Sequence, residues 1–211
     1  MRTIMIMNAK GGCGKSTLAT NIAGYYAVNG KNVLLADFDV QQSSMEWLDA
    51  RGEDYPTITG VDATTHPVKP GKNIDIVVYD VPAVTHGKEL TNYTKKVDTL
   101  IIPVLPSPLD IRAASRFVKE LFAVGKVSRK EIKLALVANR VRENTIVYHK
   151  LTVFLKSLKI PFVATLRDTQ NYIRAADRGL SIFELAPSAT THDIEQWQPL
   201  IKWLNSKRSM P

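Results

Sequence analysis

The chain has 211 residues, 45% of them hydrophobic and 23% charged, an ordinary globular composition that excludes a disordered or fibrous polymer. A single cysteine rules out a disulfide framework and any self-contained four-cysteine metal site, and so points to a reducing cytoplasm. The formal net charge of +8 is uneven: residues 1–105 hold 10 Lys/Arg against 11 Asp/Glu and residues 106–211 hold 18 against 9, which makes the second half a candidate polyanion surface.

Taken in chain order, Met1-Arg2-Thr3-Ile4 enters a strand pattern at once, with no secretory n-region. The first strand is expected over 3–8, an apolar run that stops at a glycine cluster. A helix follows from Ser16 to Asn29, with Leu18, Ile22, Tyr25, Tyr26 and Ala27 at helical spacing and Asn29-Gly30 as its stop. A second buried strand at 32–37 completes a unit that must cross over right-handed. Further strands are expected at 57–61, 74–80, 98–104, 132–138 and 161–164, and helices near 43–51, 107–124, 145–158 and 169–178. The loop 62–73, with Pro67, Pro70 and Gly71, is a turn-rich connection. This alternation predicts an α/β fold over one domain, 1–211: a doubly wound, mostly parallel sheet with helices on both faces. Ligands of such sheets bind at the carboxyl ends of the strands, where Asp37-Phe38-Asp39, Asp80-Val81-Pro82 and Asn139-Arg140 fall. No run of about 18 apolar residues exists to cross a membrane. The histidines at 66, 86, 149 and 192 lack metal-ligand spacing.

Lys10-Gly11-Gly12-Cys13-Gly14-Lys15-Ser16-Thr17 lies between the first strand and the first helix, where a phosphate loop belongs. Small residues let backbone N–H groups converge on phosphate oxygens, and the helix presents its N-terminus to the anion. Lys15 reaches the β and γ phosphates, and the Ser16 hydroxyl ligates Mg²⁺.

With a lysine opening the box, Lys-Gly-Gly-Cys-Gly-Lys-Ser-Thr resembles the deviant Walker A motif of the ParA/MinD superfamily, ATPases that position plasmids, chromosomes, division sites and protein cargoes. The resemblance implies that Lys10 is the signature lysine, which crosses an ATP-sandwiched homodimer to the partner's nucleotide. An ammonium aimed at developing phosphoryl charge stabilises the transition state; an ion pair with an acidic neighbour is the alternative. Cys13 stands where the family commonly carries valine; a small side chain is its plainer role, and a reactive thiol at a helix N-terminus is the alternative. Val33–Gln42 looks like the family's second box, with Val40 in place of proline. It implies that Asp39 holds the attacking water and, through water, the metal, with Asp37 supporting it; a helix cap is the plainer role for such an aspartate. Ile74–Ala83 resembles the Walker B strand, whose Asp80 would orient the water shell of Mg²⁺. Asn139-Arg140 resembles the adenine-reading pair, and the guanine signature Asn-Lys-x-Asp is absent, so ATP is expected. Thr165–Asp168 followed by Ala175–Glu184 is similar to the segment that closes over adenosine, which puts Arg167 among the ATP-binding residues.

The resemblance implies a homodimer formed on ATP binding, non-specific DNA of the nucleoid as its track, and a cargo-associated adaptor that stimulates hydrolysis. The basic second half fits this, with Lys150, Lys156, Lys159, Arg174, Lys202, Lys207 and Arg208 as candidate DNA contacts. Met7–Asn21 is similar to small ParA forms, including the McdA type that spaces carboxysomes. With so short a chain, an extended N-terminal DNA-reading domain, and with it autorepression by operator binding, is not expected. A MinD-like membrane-surface ATPase is the second reading, because Ile194, Trp197, Ile201 and Leu204 follow a 3-4-3 spacing. Pro199 is expected to interrupt that pattern, and packing of this helix on the sheet is preferred. A metabolic ATPase that activates a small carboxylate is the third reading, and Lys10 argues against it.

Overall fold

The computed structural model describes residues 1–83, 87–95, 97–129 and 131–211; His86 lies outside them. Seven strands, β1 (Arg2–Ile6), β2 (Val33–Asp37), β3 (Ile58–Asp62), β4 (Ile76–Asp80), β5 (Thr99–Val104), β6 (Lys133–Val141) and β7 (Phe162–Arg167), form an all-parallel sheet in the order β3-β2-β4-β1-β5-β6-β7. The helices are α1 (Lys15–Val28), α2 (Ser43–Asp49), α3 (Gly87–Thr94), α4 (Pro108–Ala123), α5 (Gly125–Ser128), α6 (Ile146–Ser157), α7 (Gln170–Ala176) and α8 (Pro187–Leu204). β1, β2, β4 and β5 are buried along their whole length. That is why they read as unbroken apolar runs rather than alternations.

Residue contacts group the chain into two compact units. The first comprises Met1–Ile6, Lys15–Pro82 and Thr169–Ile194. In it β2 pairs with β3 and with β4, and β4 with β1, around a core that includes Ile4, Ile6, Leu18, Ile22, Leu35 and Val78. Register places Asp37 beside Asp80 and Ile6 beside Asp80, so these strand ends are level. The second unit comprises Met7–Gly14, Ala83–Asp168 and Glu195–Pro211. There β5 pairs with β6 and β6 with β7, over a core that includes Leu100, Ile102, Phe117, Leu136, Leu155 and Trp197. α4 opens on a built start: Ser107 accepts from the Asp110 backbone N–H and Pro108 follows it. Thr145 caps α6 in the same manner.

Two expectations are corrected, and one helix is found where none was expected. The strand expected to end at 138 runs to Val141, with a register shift against β7 between Ala138 and Val141, so Asn139 and Arg140 form a bulge within β6 rather than a loop after it. Pro199 does not interrupt the last helix, since α8 continues through it to Leu204. Burial of Trp197, Leu200, Ile201 and Leu204 holds the helix on both sides of Pro199 against the ~3 kcal/mol that an internal proline costs. Helix α3 was not expected at all, because Gly-Lys-Glu-Leu-Thr-Asn-Tyr-Thr carries little helical propensity and one fully apolar anchor, Leu90.

Candidate functional site

In the first unit α1 begins at Lys15, whose side chain is largely buried, while Ser16 and Thr17 are half-buried. Asp37 and Asp80 are 0% and 1% exposed and end neighbouring strands. Ser44 joins them: its Oγ donates to Asp80 Oδ2 at 2.8 Å and its backbone N–H to Asp37 Oδ2 at 2.8 Å. Burial pushes the Asp80 carboxyl up to about 6, against hydrogen bonds from Ser16 and Ser44, with Asp37 adding to the rise and Lys15 opposing it. Burial also raises Asp37, against backbone N–H bonds from Asp39, Ser44 and Met45. Asp39 is half-buried; its N–H donates to Asp37 Oδ1 at 2.9 Å, and its own Oδ1 accepts from the Gln41 N–H at 3.0 Å.

In the second unit the residues before Lys15 form a braced turn. Met7 N–H donates to Ile101 O at 3.0 Å, Asn8 Nδ2 to Pro103 O at 2.7 Å, and the Cys13 thiol to Lys10 O at 3.2 Å. Gly12 and Gly14 take φ of 73° and 89°, which turns the backbone N–H groups in a way residues with a Cβ resist. Asn139, buried in the bulge, donates from Nδ2 to Cys13 O at 2.8 Å, and a Cβ at position 14 would lie 2.2 Å from that nitrogen. Adenine reading is the role expected of Asn139 from the sequence; in the structure its amide braces the loop. Arg140 is exposed with φ of 50°, and Asp168 lies 3.6 Å from its Nε and 3.2 Å from Arg142 Nη2. Arg167 ends β7, its N–H donating to Gln196 Oε1 at 2.8 Å. Lys10, Gly11 and Gly12 are exposed.

The donor set suits Mg²⁺. Asp37, Asp80, Ser16 and Ser44 offer oxygen alone, as a hard cation requires, and a carboxylate held up by burial such as Asp80 gains from positive charge beside it. Among the described residues no group of three or more His, Cys, Asp or Glu side chains is arranged to hold a metal ion. The candidate DNA residues are all exposed. Lys150, Lys156, Lys159, Lys202, Lys207 and Arg208 belong to the second unit and Arg174, on α7, to the first. Sequence reasoning missed Ser44 and Asn8. The signal for Ser44 was the Ser43-Ser44 pair opening a helix after Asp-x-Asp.

Comparison with known proteins bears on the family and the fold. The model of the CobQ/CobB/MinD/ParA nucleotide binding domain matches residues 4–182. The maintenance of carboxysome distribution protein A of Halothiobacillus neapolitanus is 31% identical over 190 residues, covering 87% of each chain. Among solved structures, the ATP complex of a Cyanothece McdA variant superposes with a TM-score of 0.74 at 15% identity, covering 95% of this chain and 96% of that one. The septum site-determining protein MinD of Pyrococcus horikoshii, complexed with Mg-ADP, gives 0.67 at 14% identity over 98% and 99%.

Proposed function

The chain belongs to the CobQ/CobB/MinD/ParA family of nucleotide-binding domains, and from that premise we propose that it is a ParA-type ATPase, one ATPase domain over 1–211, that positions an intracellular cargo. ATP closes a homodimer, the dimer binds the DNA of the nucleoid without sequence preference, and an adaptor on the cargo stimulates hydrolysis and release. The observation that carries this reading is the pair of buried carboxylates, Asp37 and Asp80, at level strand ends, tied by Ser44 and with Ser16 hydrogen-bonded to Asp80. The Halothiobacillus relative favours the carboxysome, or a similar protein body, as cargo.

Each residue then has a task. Backbone N–H groups of 11–17 and the Lys15 ammonium hold the phosphates. Ser16 would hold Mg²⁺ directly and Asp80 through water, and the ion, when bound with the nucleotide, would supply positive charge against that of the phosphates. Asp37 fixes the backbone of Asp39, whose half-buried carboxylate orients the attacking water. Lys10, exposed at the loop's start, extends to the partner's nucleotide. Asn139, Arg140 and Arg167 border the adenosine. Isothermal calorimetry tests the core of this: Lys15→Ala is expected to abolish ATP binding, and affinity near wild type would refute the phosphate loop. Asp39→Ala is expected to keep ATP and lose hydrolysis.

The MinD-like membrane reading is disfavoured by α8, whose apolar stripe Trp197, Ile201 and Leu204 is buried. Among the described residues no helix is long and apolar enough to cross a membrane. ATP-dependent flotation with anionic liposomes, without duplex binding, would reverse the order of the two readings.

A further inference from the structure

Among the described residues only Gln42, Arg140 and Asn144 combine a side chain with a positive φ. Asparagine takes this conformation readily, whereas glutamine does so at a cost of about 1 kcal/mol. Gln42 sits at φ 53° and ψ 29° immediately before α2, three residues after Asp39. Its side chain caps nothing in the helix. Instead Nε2 donates to the carbonyl of Asp39 at 2.8 Å and to Asp62 Oδ1 at 3.1 Å, while its backbone N–H donates to the same Asp39 carbonyl at 3.0 Å. A strained residue is thus held by a side chain that bridges the loop and another strand.

The far end of the bridge is firmly built. Asp62 closes β3, paired in register with Asp37, and the Ala63 N–H donates to Asp37 O at 2.8 Å. Its Oδ1 also accepts from the N–H and hydroxyl of Thr64 at 2.9 and 2.6 Å, and its Oδ2 from the Thr65 hydroxyl at 2.8 Å. Those hydrogen bonds hold the Asp62 carboxyl down at about 2, so the anchor stays ionised at any working pH.

We propose that Gln42 is a positioning residue for ATP hydrolysis: its amide ties the Asp39 loop to Asp62, and the tie sets where the Asp39 carboxylate stands. This rests on the reading of Asp39 as the carboxylate that orients water. The tie fixes the carbonyl of Asp39 from two donors on one residue, so the loop is fastened at both ends, by Asp37 at its start and by Asp62 through Gln42.

Gln42→Gly separates the tie from the fold, because glycine takes this backbone conformation without strain. The variant is expected to melt no lower than wild type. Hydrogen exchange of residues 38–42 should quicken, KM for ATP should hold, and kcat should fall about tenfold or more, since catalysis is sensitive to small misplacements. Asp62→Ala should quicken the same amides and lower kcat alike, and the double variant should be no slower than either single one. Unchanged exchange at 38–42, or wild-type kcat in Gln42→Gly, would overturn the proposal. Asp39→Ala is run beside them: if it hydrolyses ATP at the wild-type rate, the role of Asp39 itself fails, whatever the exchange of its loop shows.

Discussion

Asp80 pays for its position when nothing positive stands beside it. A carboxyl with an ordinary value of 3.8 that rises to about 6 in the fold binds its proton more tightly folded than unfolded. Its contribution to stability is therefore present at pH 4 and lost as pH rises towards 6, by about 3 kcal/mol in all; Asp37, raised by the same burial, acts in the same direction. Without nucleotide or Mg²⁺, Asp80→Asn should melt higher than wild type at pH 8 and close to it at pH 4.5. A melting difference independent of pH would show that burial of this charge is not what limits the empty protein. Asp37 and Asp80 were legible in the sequence because each ends an apolar run. Ser44 was not: a serine at a helix start reads as a cap, and only the pairing of β2 with β4 brings its hydroxyl to a carboxylate 36 positions away.

At the scale of elements, α2 is fastened to residues 179–184 by Arg51. Its guanidinium donates to Gly179 O and to both oxygens of Glu184 and lies over the rings of Trp47 and Tyr55, with the paired side chains 5% and 2% exposed. Removing one partner leaves a buried charge, so Glu184→Ala should cost about 3–5 kcal/mol by denaturant unfolding, and Arg51→Met with Glu184→Leu markedly less. Equal losses in the single and double variants would mean that packing, not charge, holds this contact. Elements with strong apolar runs were legible, and their ends less so. The bulge at Asn139 arises from pairing with β7, and α8 survives Pro199 through burial, neither of which local propensity records. The order of the seven strands was likewise out of reach, because right-handed crossovers fix hand and direction but not which strand each crossover reaches.

At the scale of the whole molecule, the proposed DNA track depends on charge summed over a surface. Affinity for duplex should require ATP, ignore sequence, and fall with salt at a log–log slope of about 0.9 per phosphate neutralised. Lys202→Glu with Lys207→Glu should weaken all duplexes alike and flatten that slope; an unchanged slope would move the interface elsewhere on the basic half. Lys10→Ala should bind ATP yet remain monomeric in light scattering, and an unchanged ATP-dependent dimer would remove its crossing role.

The brace between Cys13 and Lys10 also makes the molecule its own gauge. Cys13 is the chain's only cysteine and is fully buried within the loop, so a thiol reagent reaches it only in the instants when the turn has opened. The rate of labelling by an aromatic disulfide therefore counts those openings directly, with no engineered background and no fluorophore. ATP with Mg²⁺ should slow that rate in proportion to site occupancy, and Lys15→Ala should make it indifferent to nucleotide. Labelling that is fast and blind to ATP would mean that the turn breathes without regard to what it holds.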